Sequence, residues 1–271
     1  MGHDINEYEL IPESINSSAA AREAKDVHFE RSITVSEDDV LLHKKLNKKQ
    51  MIAYNVITER IFSNKPGAFF IDGPGGTGKT FLYRALLATI RSMGYIALAT
   101  TTSGVAASIL PGGRTTHSRF KIPIDLDENS SCNISKESSL ASLIRQAKLI
   151  VWDEVSMAKR RMIEVLDLLL KDLINTNVLF GGKVIVLGGD FRQTLPVVQY
   201  IKKEDFIAQS LLYSTIWNEL EKFHLSENMR ARIDPTFCDY LLKIGNGQEQ
   251  VDMSFNVENA YWLHDRVSEK A

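Results

Sequence analysis

The chain has 271 residues, 44% hydrophobic and 24% charged, with a formal net charge of −2 and two cysteines. That balance is ordinary for a soluble globular protein, and the chain shows no internal repeat and no low-complexity block. No apolar stretch approaches the roughly 20 residues of a membrane-spanning helix, the first residues lack a signal-peptide pattern, and Asn6 stands where a myristoylation motif needs Ser or Thr.

Residues 1–40 hold ten Asp or Glu and three Lys or Arg, which is −7 and leaves +5 on the remainder. They show little periodicity and read as an acidic, flexible lead-in. The body that follows is mildly basic, which permits nucleic acid without demanding it. Asn47 can cap a helix to about Phe62, with Met51, Tyr54, Val56, Ile57 and Ile61 as its apolar positions. Gly67–Asp72 reads as a buried strand and Phe81–Met93 as a helix. Between them, Gly73-Pro74-Gly75-Gly76-Thr77-Gly78-Lys79-Thr80 fits the phosphate-loop pattern G-x-x-x-x-G-K-[ST]. Glycines let backbone N–H groups turn around a phosphate, and the helix N-terminus adds partial positive charge. Lys79 then reaches the β- and γ-phosphates and the Thr80 hydroxyl ligates Mg²⁺.

Ile96–Thr100 is a second strand and Gly104–Leu110 a short helix stopped by Pro111-Gly112-Gly113. Residues 123–138 are polar and read as a surface loop; Leu140–Ala147 reads as a helix. Leu149–Trp152 is a third buried strand ending at Asp153-Glu154, followed by an amphipathic helix over Met162–Ile174. Val184–Leu187 is a fourth strand, ending at Gly188-Gly189-Asp190. Nearly all-apolar strands alternating with helices predict an α/β fold, a mostly parallel sheet with helices on both faces. Ligands in such sheets gather beyond the carboxyl ends of the strands.

Asp153 and Glu154 end a buried strand, where adjacent carboxylates repel unless a cation is near. Asp153 is expected to hold Mg²⁺ and Glu154 to orient and activate the attacking water; the bland alternative is a turn with two solvated acids. Gln193 can sense a γ-phosphate, since an amide both donates and accepts, although on spacing alone it is as readily a loop glutamine. Arg230 could neutralise transition-state charge, or simply be solvated. Cys132 and Cys238 are far apart in sequence and read as reduced thiols of an intracellular protein.

Taken in order, Leu46–Gln50, the phosphate loop, Thr102–Ala107, Gly113–Ser118, Asp153-Glu154 and Gly189–Gln193 resemble the Pif family of DNA helicases, superfamily-one B motors related to RecD. The run Gly189–Val198 resembles its plant and Helitron-transposon branch in particular. The resemblance covers roughly residues 41–250 and implies a RecA-like P-loop NTPase fold over 41–234. It implies an ATP-dependent 5′-to-3′ DNA helicase using ATP and Mg²⁺ on single-stranded DNA. By that resemblance Gln50 reads the adenine edge; Gly73, Gly75, Gly76, Thr77, Gly78, Lys79 and Thr80 hold the nucleotide; Gln193 is the γ-phosphate sensor; and Arg230 is the first catalytic arginine. Ser103, Gly104 and Val105, with Thr116, His117 and Ser118, correspond to segments that hold the strand backbone; Phe120 could offer a stacking face. Residues 235–271 are expected to begin the connection to a second RecA-like domain whose motifs are not found here, so that this lobe alone unwinds poorly. A monomer is expected, in the nucleus or alternatively the mitochondrion. The rival readings are a P-loop ATPase that does not act on DNA, and a non-unwinding ATP-binding regulatory module.

Overall fold

The computed structural model describes residues 26–127, 130–193, 196, 207–229, 236, 240 and 243. In chain order these form α1 (26–31), α2 (Glu37–Val40), α3 (Lys48–Phe62), β1 (Gly67–Asp72), α4 (Lys79–Ser92), β2 (Ile96–Thr101), α5 (Gly104–Ala107) and β3 (Arg114–Thr115). They continue with α6 (Thr116–Phe120), α7 (Ser139–Gln146), β4 (Ala147–Asp153), α8 (Arg160–Ile174), β5 (Val184–Gly189) and β6 (Glu221–His224). Of the expected helix over 235–250 only residues 236, 240 and 243 are described, each of them helical, and residues 1–25 lie outside the described residues.

Six strands make one sheet in the order β3-β2-β4-β5-β1-β6, and every pairing is parallel. The alternation of side chains along a strand divides the core in two. Phe70, Leu98, Ile150, Trp152, Ile185 and Leu187 face one cluster with α7 and α8 residues. Phe69, Ile71, Ala97, Ala99, Leu149, Val151, Val184 and Val186 face the other with α3 and α4 residues. Helices on both faces explain why these strands are apolar throughout rather than alternating.

The short edge strands β3 and β6 were not foreseen. β3 pairs through two residues only, Thr100↔Arg114 and Thr101↔Thr115, and two residues carry too little periodicity to read. β6 is mostly exposed, with the sequence Glu-Lys-Phe-His. Residues 26–40 are also not a loose lead-in. Both α1 and α2 dock on the body, because Glu30 is buried against Arg119 and Asp39 pairs with Arg84 at 2.6 Å. Phe120 is fully buried in the core and offers no stacking face. No helix among the described residues is long and apolar enough to cross a membrane.

Candidate nucleotide and DNA site

The strand order builds the site. β5 lies between β1 and β4, so the turn after β5 falls between the phosphate loop after β1 and the carboxylates after β4. α4 crosses this region closely. At Gly188 of β5 a Cβ would collide with the Tyr83 hydroxyl, so glycine is required for α4 to approach.

In the loop, Gly78 takes φ +80°, a left-handed conformation suited to glycine, and α4 starts at Lys79. Lys79 is buried, and its ammonium donates to Gly73 O at 2.5 Å and Pro74 O at 3.5 Å. The Thr77 hydroxyl donates to Pro74 O at 2.8 Å, closing the turn from within. Gln50 lies under the loop. Its Oε1 accepts from Asn47 N at 2.9 Å, completing a capping box on α3, and its Nε2 donates to Thr77 O at 3.0 Å. With 1% exposure, the Gln50 amide holds the loop to α3; contact with an adenine edge would require it to leave Thr77.

Asp153 is buried at the end of β4, and one of its oxygens accepts the Glu154 N–H at 2.9 Å. Burial, with Glu154 as a smaller cause, pushes the Asp153 carboxyl up to about 7, while Lys79 pulls it down. Glu154 adopts φ +56°, unusual for a non-glycine residue. Its carbonyl accepts the Thr102 hydroxyl at 2.6 Å, and that hydroxyl in turn accepts the Trp152 indole N–H at 3.0 Å. The backbone that carries Glu154 is thereby fixed to the tip of β2.

A carboxyl that ionises near 7 in the fold and near its ordinary 3.8 in an open chain costs the fold roughly 4 kcal/mol when charged. Because the folded value is raised, the penalty is absent below about pH 4 and grows until pH passes about 7. Thermal melting of the nucleotide-free protein is therefore expected to fall as pH rises from 4 to 7, and Asp153→Asn to flatten that slope. An unchanged slope in Asp153→Asn would assign the pH dependence elsewhere. A carboxylate so short of positive charge suits a divalent cation. No cluster of three or more His, Cys, Asp or Glu among the described residues could form an all-protein cage. A single carboxylate is compatible with Mg²⁺, which commonly combines one or two carboxylates with substrate phosphates, and Thr80 is half-buried in the first turn of α4.

The turn after β5 is anchored by Phe191, which stacks on Phe70 at 5.5 Å and meets Trp217 edge-on at 5.6 Å. Buried Asp190 then organises its neighbours: one oxygen accepts Arg192 Nε at 2.7 Å and the other accepts Gln193 Nε2 at 2.9 Å. The Gln193 amide lies over Gly75, where a Cβ would sit 3.1 Å from its nitrogen. The γ-phosphate candidate is thus at the phosphate loop, aimed by a carboxylate that the sequence reading left without a role. Arg192 also approaches Asp72 at 3.5 Å, and Asp72 contacts His224 at 2.6 Å.

Arg230 lies outside the described residues. The residues before it are tied to the loop: Met229 N donates to Gly76 O at 2.8 Å and Asn228 Nδ2 to Gly75 O at 3.3 Å.

The two segments matched to a DNA strand meet at the tip of β2. Ser103 caps α5, the Thr101 hydroxyl donates to Ser103 O at 2.6 Å, and the Thr116 hydroxyl donates to Thr101 O at 3.0 Å. Gly104 and Val105 are exposed, Val105 at 81%. Ser118 is exposed and His117 half-buried, its Nδ1 against Ile122 O at 2.9 Å. Thr116 is fully buried, so it shapes the segment from beneath. Thr102 was read only as the start of the Thr102–Ala107 segment, and its hydrogen bond to the Glu154 carbonyl was not foreseen.

A family model described as PIF1-like helicase matches residues 45–254. The ATP-dependent DNA helicase RRM3 of Saccharomyces cerevisiae is 26% identical over 234 residues, covering 83% of this chain and 32% of that protein. The ATP-dependent DNA helicase Pif1 of Campylobacter jejuni is 30% identical over 190 residues, 66% of this chain and 40% of that protein. Among solved structures, the Pif1 helicase from Candida albicans superposes with a TM-score of 0.64 at 27% identity, over 76% of this chain and 45% of that one. A Bacteroides Pif1 helicase in complex with ADP-AlF3 and ssDNA has a TM-score of 0.65 at 22% identity, over 76% of this chain and 47% of that one; at that identity the likeness concerns the fold. The chain spans less than half the length of each of these relatives.

Proposed function

This chain belongs to the PIF1-like helicase family, and from that premise we propose that it is the ATP-hydrolysing motor lobe of a 5′-to-3′ DNA helicase acting on single-stranded DNA. The observation that carries the reading is the convergence at the tips of β1, β5, β4 and β2. The Lys79 loop, Gln193 at Gly75, and the Asp153-Glu154 pair share one sheet end, and Thr102 joins Glu154 to the segment that begins at Ser103. A strand held by Ser103–Val105 and His117–Ser118 would contact backbone amides and hydroxyls, which grip phosphates without reading sequence.

In this reading Thr80 and Asp153 hold Mg²⁺, which when bound supplies positive charge to the β- and γ-phosphates. Lys79 binds the same phosphates, Glu154 accepts the proton of the attacking water, Gln193 contacts the γ-phosphate, and Arg230 neutralises developing charge. Strand occupancy reaches Glu154 through a short path, since Thr102 is bonded to its carbonyl and adjoins Ser103. Unwinding would further require a second lobe to close on the nucleotide.

The test is ATP turnover of the 271-residue chain with and without an oligothymidine strand, together with strand affinity by fluorescence anisotropy. Stimulation of about tenfold or more is expected, on the scale of 1–3 kcal/mol typical of coupling between two sites. Turnover that is unchanged at saturating oligonucleotide, or absence of strand binding, would reject the DNA motor in favour of an ATPase with another substrate.

A further inference from the structure

We propose that Glu30, which precedes the family-matched region at residue 45, is a positioning residue for the Thr116–Ser118 segment; the inference deepens the DNA reading above and rests on it. The Glu30 carboxylate is 3% exposed and lies 2.6 Å from Arg119 and 3.8 Å from Arg91. Arg119 directly follows Ser118 in α6 and donates to Gly112 O at 3.2 Å. Arg91, near the end of α4, donates to Pro111 O at 2.7 Å and Ala97 O at 2.8 Å. One carboxylate therefore ties α4, the 111–113 turn and α6 together.

Its neighbours extend the tie. The Arg114 guanidinium sits 5.2 Å from the centroid of the Phe29 ring, and Ile33 packs so tightly on Gly112 that a Cβ there would collide with it. Asp26 accepts from Ser139 at 3.1 Å, and Asp39 pairs with Arg84. Residues 26–39 thus form a strap across the β3 edge. At that edge β3 pairs with β2 through two residue pairs only, and α6 is held further by the Thr116 hydroxyl on Thr101 O and by buried Phe120.

The chemistry makes the carboxylate difficult to replace. Arg91 and Arg119 are both buried, and burial lowers both guanidinium pKa values, that of Arg91 to about 10. Each also lies near a second cation, Arg119 for Arg91 and Arg114 for Arg119. The Glu30 charge favours the protonated form of both guanidinium groups, and its 2.6 Å contact adds to that for Arg119. Removing that charge leaves two cations facing each other in a low-dielectric pocket, which is strongly unfavourable. Of the two guanidinium groups, Arg119 carries that repulsion directly into α6, which it shares with Thr116–Ser118.

The experiment compares wild type, Glu30→Gln and Glu30→Asp by amide hydrogen exchange of the free protein, affinity for fluorescein-labelled oligothymidine, and affinity for a fluorescent ATP analogue. Glu30→Gln is expected to speed exchange over residues 112–120 but not over β4 or β5. It should weaken oligothymidine binding about tenfold while nucleotide affinity stays within about twofold. Exchange at 112–120 equal to wild type, or faster exchange spread evenly over the sheet, would overturn the proposal, the second outcome marking a merely structural ion pair. Glu30→Asp keeps the charge on a stem one methylene shorter and should fall between the two; if Glu30→Gln does not fold, exchange at 112–120 in Glu30→Asp that matches wild type overturns it. Wild-type protein that fails to bind oligothymidine would sink the DNA reading, while the exchange comparison still decides whether Glu30 positions α6.

Discussion

Glu154→Gln is expected to lower ATP turnover by about 10²–10⁴, the range typical of a positioned general base, while ATP binds as well as in wild type or is retained longer. The substitution keeps size and shape, so the contacts that set this backbone survive. The residue-154 N–H still donates to Asp153, and its carbonyl still accepts Thr102 at 2.6 Å. Its left-handed φ of +56° is held by those bonds and not by the side-chain charge. What is lost is proton acceptance. Filter retention of radiolabelled ATP, alongside phosphate release, separates the two effects. Ordinary phosphate release by Glu154→Gln would place the base at another residue.

Lys79→Ala is expected to cost about 10²–10³ in turnover, the scale of removing one preorganised charge or donor from a transition state, and to weaken nucleotide binding as well. The ammonium is bonded to Gly73 O and Pro74 O, neutral acceptors that cannot compete with a phosphate for a cation. It also lowers the Asp153 carboxyl from where burial would push it. Its removal should therefore raise the pH needed to ionise Asp153, and residual turnover should shift to a more alkaline profile. Equal weakening of nucleotide binding in Lys79→Ala and Lys79→Arg would indicate that geometry, and not charge alone, sets the requirement. Wild-type turnover in Lys79→Ala would remove the loop from the reaction.

Much of this was written locally in the chain. Asn47 was read as the cap of a helix to about Phe62, and the structure starts α3 there, with Gln50 completing a capping box that the sequence reading did not include. The strand–loop–helix over 67–92 follows from an apolar run, a glycine loop and helical periodicity, all within reach of nearest-neighbour physics. The miss at residues 26–40 has the opposite cause. Ten acidic residues among the first forty suggested solvation, yet Glu30 is buried because its partners, Arg91 and Arg119, come 61 and 89 positions later. No local pattern announces a pairing of that separation. A stacking face at Phe120, one possibility in the sequence, is excluded for a related reason, since α6 turns the ring into the core. Gln50 was expected to read an adenine edge, and that expectation did not include the commitment of its amide to Asn47 and Thr77.

By itself the sequence determined the chemistry on offer and the class of sheet: a phosphate loop, paired carboxylates at a strand end, and apolar strands that need cover on both faces. Tertiary structure decided which of these groups meet. Placing β5 between β1 and β4 brings Asp190 and Gln193 to the phosphate loop, and placing β2 beside β4 brings Thr102 to Glu154. Strand order is set by how helices of given length and face pack over a twisted sheet, a property of the whole chain. Periodicity can say that a strand exists, but the partner beside it is chosen by side chains scores of residues away.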